Sequence, residues 1–404
     1  MISLETPKKF APLVSQAHQV ATEVFRPISR RYDLAEHEYP KELDMLASLI
    51  DGMNAGSDIG GAGAAGVRRE RAASADGANR NGSNLSTVLG VMELCWGDVG
   101  LLLTMPRQGL GNAAIASVAS EEQLARFDGR WAAMAITEPE AGSDSAAIRT
   151  TAVLDGDEYV LNGEKIYVTS GERADLIVVW ATLDRSKGRA AIKSFVVERD
   201  NPGLKLDRLE HKLGIRASDT AAFRLEDCRV PMQDMLGSPQ VDVKQGFGGA
   251  MQTFDNTRPL VAAMAVGLTR ACLQETQAQL ARAGVQVDHA APALAQHAAA
   301  AKMQAMEADY EAARLLTLQA AWMADNSKPN SLHASMAKAK AGRTCVEVAL
   351  ACVELCGSLG YSESNLLEKW ARDAKILDIF EGTQQIQLLI VARQLLGKTS
   401  AELR

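Results

Sequence analysis

The chain has 404 residues, 47% apolar and 23% charged, so it is long enough for two or three domains and too apolar to be disordered. Its net charge of −7 argues against a nucleic-acid binder built on clustered Lys and Arg, and no run approaches the ~18 apolar residues of a membrane span. Six scattered cysteines without a CxxC pair predict reduced, buried thiols. Six histidines without HExxH or zinc-like spacing predict no metal, and the opening residues show no leader pattern, so a cytoplasmic protein is expected.

Residues 1–130 read as helical, with apolar side chains recurring at three- and four-residue steps over 10–31 and 85–117. Between these stretches, residues 52–84 are rich in Gly, Asn, Ser and Arg and read as a long surface loop. Gly61 to Gly66 fits the GxGxxG dinucleotide pattern, but no strand-like segment precedes it, so the loop reading holds there.

Over residues 131–235 the period changes. Short strand-like runs at 132–137, 159–161, 165–169, 176–181, 194–197 and 222–225 are punctuated by Asp155-Gly156, Asn162-Gly163 and Asn201-Pro202-Gly203. Strands this close together, without intervening helices, predict an antiparallel barrel or sandwich. Residues 236–404 return to long Ala-, Leu-, Gln- and Glu-rich helices, with breaks near 284–293, 325–330, 357–364 and 381–383, which predicts a bundle. The expected fold class is therefore α+β multidomain.

Three segments carry chemical information. TEPEAGSD (137–144) follows a predicted strand; Pro139 and Gly142 fix a turn, and Thr137, Ser143 and nearby N–H groups form a small donor array. A hydroxyl-capped surface turn explains that segment equally well on its own. NGEKIYVTSG (162–171) reads as a hairpin turn followed by a strand whose alternation sets Tyr167 and Thr169 on one face, suited to a planar ligand or to ordinary exposure. In the stretch 372–396 a helix breaks at Gly382 and restarts, with Glu381 beside Ile379 and Phe380 and with Thr383 placed to cap the next helix. A carboxylate on an apolar corner has a raised pKa and suits proton abstraction, although most acids at helix junctions are merely solvated.

In this order and spacing, and together with HKLGIRASDT (211–220), FDNTRPLVAAMAVGL (254–268) and IFEGTQQIQ (379–387), the segments resemble the acyl-CoA dehydrogenase family over about residues 85–396. The resemblance implies a helical N-terminal domain (1–130), a middle antiparallel β-barrel (131–235) and a C-terminal helical bundle (236–404). It implies FAD held by Thr137, Gly142, Ser143, Tyr167 and Thr169, with Thr383 and Gln385 approaching from the bundle. It implies an acyl-CoA substrate near Ser143, Phe254, Asp255, Arg258 and Gly382, with Glu381 as the α-proton base and electron-transferring flavoprotein as the electron acceptor. Some relatives place the base beside Arg258, where this chain has Thr257, which cannot serve.

The resemblance departs in three places. An Arg-x-Thr-Phe-Gly stretch that serves the neighbouring subunit's FAD is replaced by Arg282-Ala283-Gly284-Val285-Gln286-Val287-Asp288. A Gln-x-x-Gly-Gly segment that approaches the neighbour's pyrophosphate reads Glu354-Leu355-Cys356-Gly357-Ser358, which sets an anion beside an anion unless a cation intervenes. Both departures raise a heteromer with a related subunit as the alternative to a homo-oligomer. Residues 52–84 also depart, which leaves the acyl group open. The rival activities are an acyl-CoA oxidase and a catalytically silent partner subunit.

Overall fold

The structure is a computed structural model that describes residues 6–47, 81–106, 110–241, 248–399 and 402; the Gly61 to Gly66 pattern and most of the 52–84 stretch lie outside these. Side chains of residues 248–256 are also outside the description, so the expectations for Phe254 and Asp255 extend only to their place on a helix.

The N-terminal part contains α1 (Ala11–Val20) and α2 (Arg26–Leu34), joined through a π turn at Ala21–Phe25. Helices α3 (Ser83–Gly97), α4 (Val99–Thr104), α5 (Leu110–Val118) and α6 (Glu121–Phe127) follow. Helix α3 is buried on nearly every side, so an amphipathic period would not show in its sequence. Its N-terminus is capped from a distance: the Asp325 carboxylate accepts the N–H groups of Gly82 (2.7 Å), Asn84 (2.9 Å) and Leu85 (3.1 Å).

The middle part is one eight-stranded sheet: β1 (Ala132–Ala135), β2 (Thr151–Asp155), β3 (Glu158–Thr169), β4 (Leu176–Thr182), β5 (Ile192–Glu198), β6 (Leu204–Leu209), β7 (Thr220–Pro231) and β8 (Met235–Leu236). The order is β6-β7-β3-β2-β4-β5-β8, with β1 pairing β4 off this path. The expectation of purely antiparallel pairing needs correction. The sheet is mixed, because β1 and β2 both run parallel to β4, and among the described residues no pairing joins β6 to β8.

A second correction concerns Asn162-Gly163, which is not a hairpin turn. It lies inside the continuous strand β3, at a register shift against β7 between Leu161 and Gly163. Asn162 spends its amide on Asp227, accepting that residue's N–H at 2.9 Å and donating to its carboxylate at 3.1 Å. Gly163 is needed because Thr150 packs where a Cβ would stand. The β2–β3 hairpin turns instead at Gly156, whose φ of 66° suits glycine.

The C-terminal part comprises α7 (Gly248–Arg282), α8 (Ala298–Asp325), α9 (Ser331–Tyr361), α10 (Leu367–Ala374), a 3-10 turn at Lys375–Asp378 and α11 (Gln384–Leu396). The predicted break near 357 is a kink within α9 at Gly357, whose φ is 54°. Helix α9 also departs from the membrane expectation: it is long and apolar enough to cross a bilayer, with a mean hydropathy of 1.4 over its best window. It packs chiefly against α7 and α8, and it buries Lys338 completely.

The largest core joins N-terminal helices, Ile215 and Ala217 from the sheet part, and the C-terminal helices. At its edge a buried ionic hub ties all three together. Lys369 donates to Asp98 (2.7 Å) and Asp373 (2.5 Å), Asp98 also accepts from Ser29, and Asp373 accepts the Ile215 N–H (2.5 Å). Burial disfavours the Lys369 charge, but Asp373 and Asp98 together outweigh it and hold the ammonium above its ordinary range.

Candidate active site

Glu381 stands at the corner between the 3-10 turn and α11, with φ at 55°, and Gly382 follows at 93°. Two successive left-handed residues turn the chain sharply, and the first is not glycine, a conformation that persists only where surroundings enforce it. Several groups enforce it here. Gln387, fully buried, donates through Nε2 to the carbonyls of Glu381 and Gly382, both at 3.1 Å. Lys338, also fully buried, donates to the Gly382 carbonyl at 2.7 Å. Thr383 caps α11 as expected, its hydroxyl accepting the Ile386 N–H at 3.4 Å.

The Glu381 carboxylate accepts the hydroxyl of Thr257 on α7 at 2.8 Å. The residue as a whole stays partly open, yet protein surrounds its carboxyl group, and that crowding governs its chemistry. Burial pushes the pKa up, while the Thr257 hydrogen bond and the charges of Arg258 and Lys338 pull the other way; burial wins. Of the flanking apolar pair, Phe380 packs against the main core, whereas Ile379 is substantially exposed. The Glu381 N–H donates to no other described residue, so a ligand oxygen could take it.

On the sheet, the 137–144 segment leaves β1 and is fastened to β3 by the Ile166 N–H, which donates to the Thr137 carbonyl at 2.9 Å. Beneath it lies a buried ion pair that sequence reasoning missed. Lys165 donates to Glu138 at 2.7 Å and to the Ile136 carbonyl at 3.2 Å. Glu138 also accepts the N–H groups of Arg149 (2.5 Å) and Thr150 (3.0 Å) and the Thr150 hydroxyl (2.5 Å). Burial lowers the Lys165 pKa to about 8 against the pull of Glu138; burial likewise opposes charge on Glu138, but Lys165 and the hydroxyl and backbone donors hold its carboxyl below the usual range. With so many donors on the carboxylate, the pair is charged at neutral pH.

Simple alternation does not explain Tyr167. A register shift against β7 between Lys165 and Val168 makes a bulge, and Tyr167 sits in it with φ at 58°, although Lys165 two residues earlier is fully buried. The bulge turns the ring outward, 60% exposed, while Thr169 is half-buried. Thr137 is also half-buried, and Gly142 and Ser143 are exposed, with open space where a Gly142 Cβ would lie. The side-chain oxygens of Thr137, Ser143, Tyr167 and Thr169 hydrogen-bond to no other described residue. Free hydroxyls beside an outward aromatic ring and a bare glycine turn form a donor set that fits an FAD ring and its polar chain. Gln385 is exposed on α11; no hydrogen bond between described residues links it, or the sheet residues, to Glu381.

Two concavities among the described residues, of about 180 and 370 Å³, lie on the sheet part, and Glu381 lines neither. Among the described residues one cluster could ligate a metal: Glu36, His37 and His211, with ligand atoms within 4.8 Å of one another. Burial opposes charge on Glu36, but His211 (2.9 Å), the Lys212 N–H (2.9 Å) and the charges of His37 and Arg216 hold its carboxyl below the usual range. At the departure point in α9, the missing cation is Lys302, whose ammonium sits 2.6 Å from Glu354 and lowers its pKa.

The sequence matches the family profiles described as acyl-CoA dehydrogenase, middle domain, over residues 133–228, and acyl-CoA dehydrogenase, C-terminal domain, over residues 244–396. It is 34% identical over 322 residues to the short-chain-specific acyl-CoA dehydrogenase of Clostridium acetobutylicum, covering 77% of this chain and 82% of that one. The fold matches butyryl-CoA dehydrogenase from Megasphaera elsdenii with a TM-score of 0.80 and 30% identity, over 98% of this chain and all of the other. A chain solved in work on the electron transferring flavoprotein of Acidaminococcus fermentans and flavin-based electron bifurcation matches at 0.78 and 30%, over 98% and 100%.

Proposed function

Since the chain belongs to the acyl-CoA dehydrogenase family, whose members are FAD-dependent oxidoreductases, we propose that it forms an α,β double bond in an acyl-CoA thioester with Glu381 as the base. The observation that carries this reading is the crowded Glu381 carboxylate, raised in pKa and oriented by Thr257 at a left-handed corner. A lone pair on this carboxylate takes the proton α to the thioester carbonyl. A carboxyl raised by burial binds that proton more strongly than an exposed glutamate would. The unspent Glu381 N–H is placed to donate to the thioester oxygen, where negative charge grows as the proton leaves. Thr137, Ser143, Tyr167 and Thr169 on the sheet side, with Thr383 and Gln385 on the bundle side, would hold FAD; Gly382 and the part of α7 that carries Phe254, Asp255 and Arg258 would face the acyl-CoA. When bound, FAD supplies the acceptor for the β-hydride and its electron pair, leaving an enoyl thioester and reduced flavin.

Glu381→Gln tests the assignment. FAD is retained, and anaerobic bleaching of the flavin by butyryl-CoA, chosen from the relatives' specificities, is abolished; bleaching at the wild-type rate sinks the base. Electron-transferring flavoprotein is the proposed acceptor, supported by the Acidaminococcus similarity. Steady turnover with oxygen alone favours the oxidase instead. Lys302 answers the charge repulsion at Glu354, so among the described residues the 282–288 stretch is what still favours a heteromer. A yellow homo-oligomer, fully loaded with FAD when this chain is expressed alone, removes the heteromeric reading.

A further inference from the structure

Lys338 is a fully buried cation on α9, 44 residues before the carbonyl it serves. Such a residue is costly to bury and needs partners that repay it in geometry or charge. Its placement follows from the sequence of α9. Gly342, one turn later on the same helix face, packs against the Leu377 carbonyl so closely that no Cβ could be accommodated, which brings α9 onto the 3-10 turn. The Lys338 side chain then reaches past that turn to the Gly382 carbonyl at 2.7 Å. Gln387 grips the same carbonyl from α11 at 3.1 Å.

We propose that Lys338 is the positioning residue of the base. Its ammonium pins the Gly382 carbonyl in the left-handed corner, and its charge, with that of Arg258, favours the anionic form of the neighbouring Glu381 carboxyl. The inference rests on Glu381 being the base and adds to it what holds that carboxylate ready.

The charges around Lys338 come from three elements. Burial disfavours its protonation, Asp378 on the 3-10 turn and Glu381 at the corner favour it, and Arg258 on α7 opposes it; burial and Arg258 together outweigh the two carboxylates and bring the pKa to about 8. Asp378 is itself shared with Arg343 (3.6 Å) and Lys375 (3.5 Å), whereas Glu381 takes its hydrogen bond from the Thr257 hydroxyl at 2.8 Å.

Three variants of the FAD-loaded, full-length protein separate pinning from charge, read by the limiting rate of anaerobic flavin reduction with butyryl-CoA across pH. Lys338→Met removes both. It keeps FAD and the half-saturating substrate concentration near wild type, loses roughly 30- to 100-fold in limiting rate, and moves the acid limb of the profile to higher pH. Lys338→Gln retains an N–H for Gly382 without the charge; it recovers part of the rate while its acid limb stays displaced. Lys338→Arg, which keeps the charge, returns the limb to the wild-type position.

Wild-type rate and acid limb in both the Met and Gln variants overturn the proposal. Should the Met variant not fold, an unmoved limb in the Gln variant does so alone. A purely structural lysine would instead lower FAD content and stability without moving the limb. If Glu381→Gln bleaches like wild type, the base assignment fails and this inference falls with it, an outcome distinct from a failure confined to Lys338.

Discussion

Replacing Lys165 by Met strands Glu138 beneath the 137–144 segment proposed to face FAD, and the structure sets the size of the effect. Glu138 and Lys165 are 6% and 0% exposed, so water cannot take the place of the lost ammonium. Removing one member of such a pair costs about 3–5 kcal/mol. The three donors that remain, from Arg149 and Thr150, place the expectation near the lower figure, about 3 kcal/mol. Removing both charges, in Lys165→Met with Glu138→Gln, returns most of that stability, because no uncompensated ion is left.

The consequence for cofactor binding follows from connectivity. Lys165 holds the Ile136 carbonyl and Glu138 on either side of Thr137, and the Tyr167 bulge begins one residue after it. If only about 1.4 kcal/mol of the loss appears in FAD binding, affinity falls about tenfold. Titrating apoprotein with FAD by fluorescence quenching, alongside urea unfolding of the single and double variants, measures both quantities. A Lys165→Met protein with wild-type FAD affinity, or a double variant no more stable than the single one, refutes the reasoning.

Three further outcomes are expected. Lys369→Met strands Asp98 and Asp373 in the core and lowers stability by about 3–5 kcal/mol, read as an earlier urea midpoint; an unchanged midpoint would show that the hub is neutral. Because the folded Glu381 pKa is raised, the stability its carboxyl contributes is present below the ordinary glutamate range and lost as pH rises through the folded value; Glu381→Gln therefore melts higher than wild type near pH 8, with the gap closing in acid. Five of the six cysteines are buried, with burial pushing Cys228, Cys345 and Cys352 up to about 12. Native protein thus exposes Cys356 alone to rapid labelling by a thiol reagent, and denaturant unmasks the rest; two or more fast thiols would contradict this packing.

The helix, sheet, helix order was legible because periodicity is local, and so was the Glu381 corner, where Gly382 and the Thr383 cap are neighbours in the chain. What sequence could not supply is contact at a distance. Thr257 lies 124 residues from the carboxylate it orients, Lys338 lies 44 from Gly382, and Lys302 lies 52 from Glu354. Local rules failed where a tertiary partner overrode them. Asn162-Gly163 has a hairpin's composition, but Asp227 captures the Asn162 amide and the strand runs on. The Tyr167 bulge has no signal in its sequence at all, since a bulge is defined by the partner strand. The parallel pairing of β1 with β4 was missed for the same reason: two hairpin-forming strands intervene, and spacing alone does not say that the chain returns to β1.

The Asp325 cap bears on how the chain enters its helical scaffold. By gripping three amides at residues 82–85 from the far end of α8, it sets the register of α3 against the bundle independently of whatever sequence occupies residues 48–80. The point where the chain enters α3 is thus bolted to the scaffold by a side chain 240 residues from Leu85. The Glu381 corner is anchored separately, by Gln387 and Lys338, so the start of α3 and the start of α11 are fixed by independent contacts.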